Sequence, residues 1–169
     1  MPAMTQVTTY LVAVGNSGPV NSRAEMNEDE YAAIRSAVRN HLPVGDRIAM
    51  VFSSGLHVTS EAAVVISEIS DIDGQRFHSD PSMSASVLPH RVQHAANLTA
   101  QHVIREGSSQ DAAVILLWPG LIYTFWANTQ LAGTPIEHGD VLELTWDVPE
   151  RGGNSELIEC QLHTDRDIG

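Results

Sequence analysis

The chain has 169 residues, which suits one domain over residues 1–169 with a substantial hydrophobic core. It carries 21 acidic residues against 9 basic ones, all of them arginine, and its formal net charge is −12. Such a chain repels nucleic acid and anionic membrane surfaces, because both are bound through cationic contacts with phosphates.

Cysteine content and hydropathy bear on the compartment. Cys160 is the sole cysteine, so the chain forms no intrachain disulfide and suits a reducing compartment. We expect no signal peptide, since no basic segment precedes an apolar one, and we predict a cytoplasmic protein. Residues 112–133 are uncharged and long enough to cross a membrane, but Pro119-Gly120 interrupts them. A buried strand, a turn and a helix account for them better.

The N-terminal third predicts a strand, a helix and a second strand. Thr8–Val14 is a short apolar run typical of a buried parallel strand. Asn27 is a candidate N-cap, and the helix it begins ends before Pro43. Arg47–Phe52 is again a short apolar run, which predicts the second strand.

The middle of the chain predicts two helices and a central strand. Thr59 or Ser60 is a candidate cap for the first helix, and the polar stretch Asp71–Met83 is interpreted as a loop. Leu88–Glu106 has helical periodicity, and Ala113–Leu117 is apolar enough for a central strand.

The C-terminal third predicts a short helix at Gly120–Gln130 and a terminal hairpin. Val141–Trp146 and Leu157–Leu162 both alternate, and the loop between them is rich in turn residues. The side chains expected to face inward on the last strand are Ile158, Cys160 and Leu162. Strands separated by helices predict a three-layer α/β sandwich with a central, mostly parallel sheet, extended by this C-terminal β-hairpin.

Three strand ends resemble motifs of the histidine phosphatase superfamily, which is phosphoglycerate-mutase-like. The first strand ends in Ala13-Val14-Gly15, where the superfamily has Arg-His-Gly. Phe52–Ala63 is similar to a strand end of the form Ser-Pro-Leu-x-Arg, with Val58 at the arginine position. Val114–Gly120 is similar to a strand ending in His-Gly, with Pro119 at the histidine position. The segment Ile136–Val141 resembles the loop and strand that close the family's core.

The resemblance implies a fold and at the same time argues against the usual chemistry. In the family, one histidine takes up a phosphoryl group while a second histidine and two arginines hold its oxygens. The corresponding positions are here Val14, Pro119, Ala13 and Val58. None of these side chains bears charge or donates a hydrogen bond, so a phosphohistidine mechanism is not possible. The family's acidic proton donor has no clear counterpart, with Glu68, Asp71 and Asp73 as nearby carboxylates.

We therefore expect a degenerate, catalytically inactive member, a pseudo-phosphatase that acts as a binding or interaction module without cofactor. Ligands of open α/β sheets bind at the carboxyl ends of the strands. At that edge the candidate pocket residues are Gly15, Asn16, Ser17, Ser53, Ser54, His57 and Trp118. The alternative is an enzyme that uses His57 on an uncharged small molecule in the same cleft, and a further one is an α/β domain unrelated to the family.

Other motifs are weaker. His90 and His94 share a helix face at a spacing that can hold zinc, but a solvated face explains them better, and we predict no metal site. Ser54 lies outside any Gly-x-Ser-x-Gly motif, which argues against a serine hydrolase. The aromatic residues near the third strand are expected to pack in the core or to form a subunit contact in a homodimer. They are Trp118, Tyr123 and Trp126. The sequence leaves the protein or small-molecule partner unidentified.

Overall fold

The computed structural model describes residues 3–16, 20–81, 87–126 and 135–165, with the backbone alone for residues 125 and 126. Its strands are β1 (Met4–Ala13), β2 (Ile48–Ser53), β3 (Phe77–Ser79), β4 (Ala112–Leu117), β5 (Val141–Pro149) and β6 (Glu156–His163). Its α-helices are α1 (Glu28–His41), α2 (His57–Ser70), α3 (Leu88–Glu106) and α4 (Pro119–Trp126).

The strands form one six-stranded sheet in the order β3-β2-β4-β1-β5-β6. β1 to β4 are parallel to one another, while β5 pairs antiparallel with β1 and β6 antiparallel with β5. Apolar side chains of α1 and α2 pack on one face of the sheet, and those of α3 and α4 pack on the other. The predicted three-layer α/β fold, with a mostly parallel sheet and a C-terminal hairpin, is confirmed.

The register of the parallel strands brings their carboxyl ends to one edge of the sheet. Ala13 of β1 pairs with Leu117 of β4, and Ser53 of β2 pairs with Leu116. On its other side, Ser53 pairs with Ser79 of β3. The residues that follow these four strands therefore lie beside one another, although they are far apart in the chain.

The two helices on the first face begin differently. Asn27 caps α1 as predicted, because its side chain accepts a hydrogen bond from the Glu30 amide at 2.9 Å and the Glu30 carboxylate accepts one from the Asn27 amide. The predicted cap of α2 at Thr59 or Ser60 is wrong. This helix already begins at His57, and the hydroxyls of both residues donate to the carbonyl of Leu56 instead.

The interpretation of Asp71–Met83 as a loop is wrong in its middle. Phe77–Ser79 forms β3, the edge strand that pairs with β2. Three residues are too few to show strand alternation in the sequence, so this pairing depends on the neighbouring strand. Residues 82 and 83, at the end of the predicted loop, lie outside the described part.

The predicted inward face of β6 is also wrong at one residue. The register between β5 and β6 shifts between Thr145 and Trp146, so that Trp146 pairs with Leu157. Leu157 then packs on the core, while Ile158 is 44% exposed. Cys160 and Leu162 are half-buried against the same core, as expected.

The apolar stretch 112–133 contains β4, which is buried at every residue, followed directly by α4. α4 begins at Pro119, and residues 127–130, the last of the predicted helix, lie outside the described part. Among the described helices, none combines the length and the apolar character needed to cross a membrane.

Candidate functional site

The end of β1 is held from both sides by backbone hydrogen bonds. The Val14 amide donates to the Leu117 carbonyl at 2.8 Å, and the Ala13 amide donates to the Asp140 carbonyl at 2.9 Å. The Gly139 amide returns a bond to the Ala13 carbonyl. Ala13 and Val14 are both fully buried, on opposite faces of the sheet.

The other two positions that the resemblance assigns to phosphate binding lie at the same edge. Val58 is in the first turn of α2 and only 1% exposed, and it belongs to the same apolar cluster as Val14 and Met26. Pro119 is the buried first residue of α4, directly after β4. The scaffold thus brings the four positions to one edge of the sheet, and each of them is occupied by a buried apolar side chain.

Trp118 occupies the space next to Gly15. A Cβ atom built on Gly15 would lie 2.4 Å from Cζ3 of the indole, far inside van der Waals contact. Gly15 also has φ +113, a conformation that glycine adopts readily and other residues rarely. Trp118 is 2% exposed and belongs to the cluster that contains Val14 and Val58. The predicted pocket residue Trp118 is therefore a packing residue at this point.

His138 fixes the turn at Gly15, a contact that the sequence pattern did not indicate. Its Nδ1 accepts a hydrogen bond from the Gly15 amide at 2.8 Å, and its Nε2 lies 2.8 Å from the Glu30 carbonyl. With Nδ1 as the acceptor, Nε2 is the ring nitrogen that carries hydrogen and donates to the Glu30 carbonyl. His138 thereby joins the closing loop, the end of β1 and the first turn of α1.

His57 lies at the predicted edge, but its neighbours are engaged elsewhere. The side chain is 52% exposed, and its Nε2 is 3.8 Å from Oε1 of Glu61. The Glu61 carboxylate already accepts hydrogen bonds from the Met26 amide at 3.0 Å and from the Tyr31 hydroxyl. The bond to Glu61, together with burial, raises the pKa of Tyr31 to about 12. Glu61 thus anchors the segment before α1 to α2.

The serines at the end of β2 do not form a nucleophile–base pair with His57. Ser53 and Ser54 are both 7% exposed, and the Ser54 Oγ is 3.5 Å from the Thr59 Oγ1. Across the described ranges, no hydrogen bond joins either serine to a histidine. Asn16 is exposed, and Ser17 lies outside the described residues.

The candidate proton donors lie at the wrong edge of the sheet. Glu68 and Asp71 are at the C-terminal end of α2, where Ser70 contacts Gly45 just before β2 begins. Asp73 caps the turn that follows, by accepting a bond from the Gln75 amide. A carboxylate that does lie at the strand ends is Asp80, directly after β3, and it pairs with Arg91 at 3.3 Å. Sequence reasoning missed it together with β3.

Metal-binding and thiol chemistry have little support in the described ranges. Within them, no group of three or more histidine, cysteine or acidic side chains is arranged to hold a metal ion. His90 and His94 are both exposed on α3. Burial raises the pKa of the Cys160 thiol to about 11, which makes it a poor nucleophile near neutral pH.

Comparison with known proteins identifies the fold. No protein-family model matches the sequence, and no curated protein matches it. Solved structures do match. The protein histidine phosphatase SixA complexed with tungstate aligns with TM-score 0.59 and 10% identity, over 90% of this chain and 95% of that one. Phosphoglycerate mutase from Bacillus anthracis str. Sterne aligns with TM-score 0.56 and 11% identity, over 87% and 92%.

A third similar structure is a putative phosphohistidine phosphatase SixA from Nakamurella multipartitia, with TM-score 0.56 and 16% identity, covering 98% of this chain and all of the other. The chain therefore shares its fold with these SixA structures and with phosphoglycerate mutase. At these identities the likeness concerns the fold alone. In this phosphoglycerate-mutase-like fold, Val14 follows β1, Trp118 and Pro119 follow β4, and Val58 lies in the first turn of α2.

Proposed function

We propose that this protein is a catalytically inactive histidine-phosphatase-like domain that acts as a binding or interaction module. The observation that carries the proposal is the burial of four apolar residues at the positions where the family binds and transfers phosphate. They are Ala13, Val14, Val58 and Pro119, and the structural likeness to SixA and phosphoglycerate mutase supports their assignment to that edge.

Phosphoryl transfer through histidine needs a nucleophile and preorganised positive charge around the phosphate oxygens. Val14 and Pro119 offer no nucleophilic nitrogen, and Ala13 and Val58 offer no charge. Removal of one donor of this kind costs roughly 100- to 1,000-fold in rate. The combined loss, including the nucleophile, leaves no step of that mechanism that these residues can perform.

The alternative, an enzyme with repurposed chemistry around His57, has less support. His57 does lie near the strand ends and is accessible. The carboxylate that pairs with it, Glu61, is held by Met26 and Tyr31, and among the described residues no hydrogen bond joins His57 to Ser53 or Ser54. A general base without an oriented partner and without a nucleophile in reach is a weak catalyst.

The net charge and the single cysteine bear on the class of partner and on the cellular compartment. A net charge of −12 favours a protein or small-molecule partner over nucleic acid or an anionic membrane. A half-buried single cysteine suits a reducing compartment such as the cytoplasm.

A phosphatase assay tests the proposal. The purified protein is incubated with p-nitrophenyl phosphate, a phosphoglycerate and a phosphohistidine peptide, and a SixA phosphatase serves as positive control. We expect no release of phosphate above background. Turnover that is lost in His57→Ala or His138→Ala, but retained in the exposed-site control His90→Ala, would overturn the proposal.

A further inference from the structure

A crevice of about 210 Å³ lies between α2 and the edge strand β3, at the carboxyl end of β2. It is lined by Ser53, Ser60, Ala63, Phe77, His78 and Ser79. None of the four degenerate phosphate positions contributes to it. Ligands of open α/β sheets bind at this edge, so the crevice is well placed for a binding site.

Ser53 is the polar group at the base of the crevice. Only 7% of this residue is exposed, and its carbonyl accepts a hydrogen bond from the Asp80 amide at 2.7 Å. Its hydroxyl has no hydrogen-bond partner among the described residues, although it lines the crevice. The Ser53 hydroxyl is not among the fully buried unpaired polar atoms of the described residues, so it is accessible from the crevice and can both donate to a ligand and accept from one.

The remaining lining combines hydroxyls with apolar and ring surface. Ser79 is exposed and pairs with Ser53 in the parallel register, so their hydroxyls belong to neighbouring strands. The Ser60 hydroxyl donates to the Leu56 carbonyl at 3.2 Å, which leaves its lone pairs free to accept. Ala63 and Phe77 add apolar surface, against which the carbon atoms of a ligand can pack.

The scarcity of charged side chains in the lining favours an uncharged ligand over an ion. His78 is the titratable residue of the lining, and its ring packs against Phe52. No carboxylate and no arginine lines the crevice, so it offers no carboxylate to a cation and no guanidinium to an anion. The formal net charge of −12 further disfavours anions. Hydroxyl groups both donate and accept, which matches ligands that do the same. The volume of about 210 Å³ lies below the roughly 300–1,000 Å³ typical of sites for drug-sized molecules, so the ligand is small.

We propose that this crevice binds a small uncharged hydroxylated molecule, a polyol or a monosaccharide, through Ser53, Ser60 and Ser79. The inference rests on the proposed function, because it supplies the binding module with a ligand site. It places that site one strand away from the filled phosphate position.

Nuclear magnetic resonance titration tests the inference on the full chain. The probes are myo-inositol and glucose as neutral molecules, inorganic phosphate as an anion and ethylammonium as a cation. We expect saturable amide shifts at Ser53, Ser60 and Ser79 with at least one neutral probe, and none with the ions. A site that responds only to phosphate or ethylammonium, or to no probe, overturns the inference.

Variants separate the crevice from the rest of the surface. Ser53→Ala removes one hydrogen bond and should weaken binding of the responding probe about tenfold. Ala63→Leu should abolish binding by filling the crevice, while the melting temperature confirms that both variants fold. The exposed-serine control Ser109→Ala should bind like the wild type. Equal affinity in the wild type, Ser53→Ala and Ala63→Leu overturns the inference.

The two proposals fail in different experiments. Phosphate release in the phosphatase assay would overturn the proposal that the domain is inactive, but it would not change the result of the ligand titration at the crevice. The absence of amide shifts at the crevice with every probe would overturn the proposed ligand site, but it would not change the result of the phosphatase assay.

Discussion

The indole of Trp118 packs so closely on Gly15 that a β-carbon there would lie 2.4 Å from the ring. The two residues follow the carboxyl ends of the neighbouring parallel strands β1 and β4, whose register aligns Ala13 with Leu117. The space beside the first strand end is consequently filled by protein. This packing also predicts which substitutions the edge will tolerate.

Gly15→Ala should be strongly destabilising, by about 3 kcal/mol or more, because it combines an unfavourable positive φ with a steric clash against Trp118. Urea unfolding followed by circular dichroism measures the loss. Gly107→Ala is the matched control, since Gly107 also has a positive φ, +58, but open space around it. That control should lose about 1–2 kcal/mol. Equal losses in the two variants would show that Trp118 does not constrain Gly15.

Val14→His should not restore phosphatase activity, because the positions that would hold phosphate remain apolar. It should lower the free energy of unfolding by about 3 kcal/mol, since the imidazole enters a fully buried apolar site. Val64→His is the control at a residue that is 57% exposed, and it should change stability by no more than about 0.5 kcal/mol. Phosphate release by Val14→His above the wild-type background would contradict this prediction.

His138→Ala should cost about 2–3 kcal/mol, because it removes the partners of the Gly15 amide and the Glu30 carbonyl. A more specific readout is hydrogen exchange at the Gly15 amide, which should become more than about tenfold faster as its acceptor is lost. His90→Ala, on an exposed face of α3, should leave both quantities unchanged. Unaltered exchange at Gly15 in His138→Ala would refute the role of this bond.

Cys160 should react slowly with iodoacetamide in the folded protein. Burial raises the pKa of its thiol from 9.0 to about 11, so at pH 8 the thiolate is about 100-fold scarcer than in the unfolded chain. Because the folded-state pKa is the higher one, this group contributes stability below pH 9.0 that is lost as the pH rises toward 11. The rate of alkylation of Cys160 by iodoacetamide, measured with and without concentrated urea, tests this prediction. Equal rates would show that folding does not protect the thiol.

Asp165 should titrate below the ordinary aspartate range. Burial opposes its ionisation, but hydrogen bonds from Ser36 and His41, each 2.8 Å long, lower its pKa overall. This contribution to stability is present above pH 3.8 and is lost as the pH falls through the lower folded-state pKa. Carbon-13 titration of the carboxyl group should show its pKa rising in Ser36→Ala. An unchanged pKa in that variant would contradict the assigned cause, and Ser109→Ala is the control.

Several features of the fold were predictable because they depend on residues close together in the chain. The apolar runs that form β1, β2 and β4 indicate buried strands by themselves, and Asn27 with Glu30 specifies a helix start through local hydrogen bonds. The short strand β3 was not predictable in this way. Its three residues pair with β2, and the crevice beside Ser53 exists because of that pairing.

The start of α2 shows the limit of cap preferences. Thr59 and Ser60 are good capping residues, yet their hydroxyls bond back to Leu56 inside the first turn. A serine or threonine hydroxyl can accept a hydrogen bond from a backbone amide as an N-cap, or donate one to a backbone carbonyl within the first turn. The residue type alone therefore does not show which of the two occurs. Similarly, nothing near His138 in the sequence indicates that it bonds to an amide 123 residues away.

The amino-acid sequence by itself determined the alternation of strands and helices and the uncharged nature of residues 13, 14, 58 and 119, because periodicity and side-chain identity are local properties. The tertiary structure decided what these residues do together. Val14 follows β1, Val58 lies in α2 and Trp118 follows β4, so the three side chains come together in one apolar cluster only in the folded chain. Burial of their apolar surface then favours a packed sheet edge over an open, water-filled cleft.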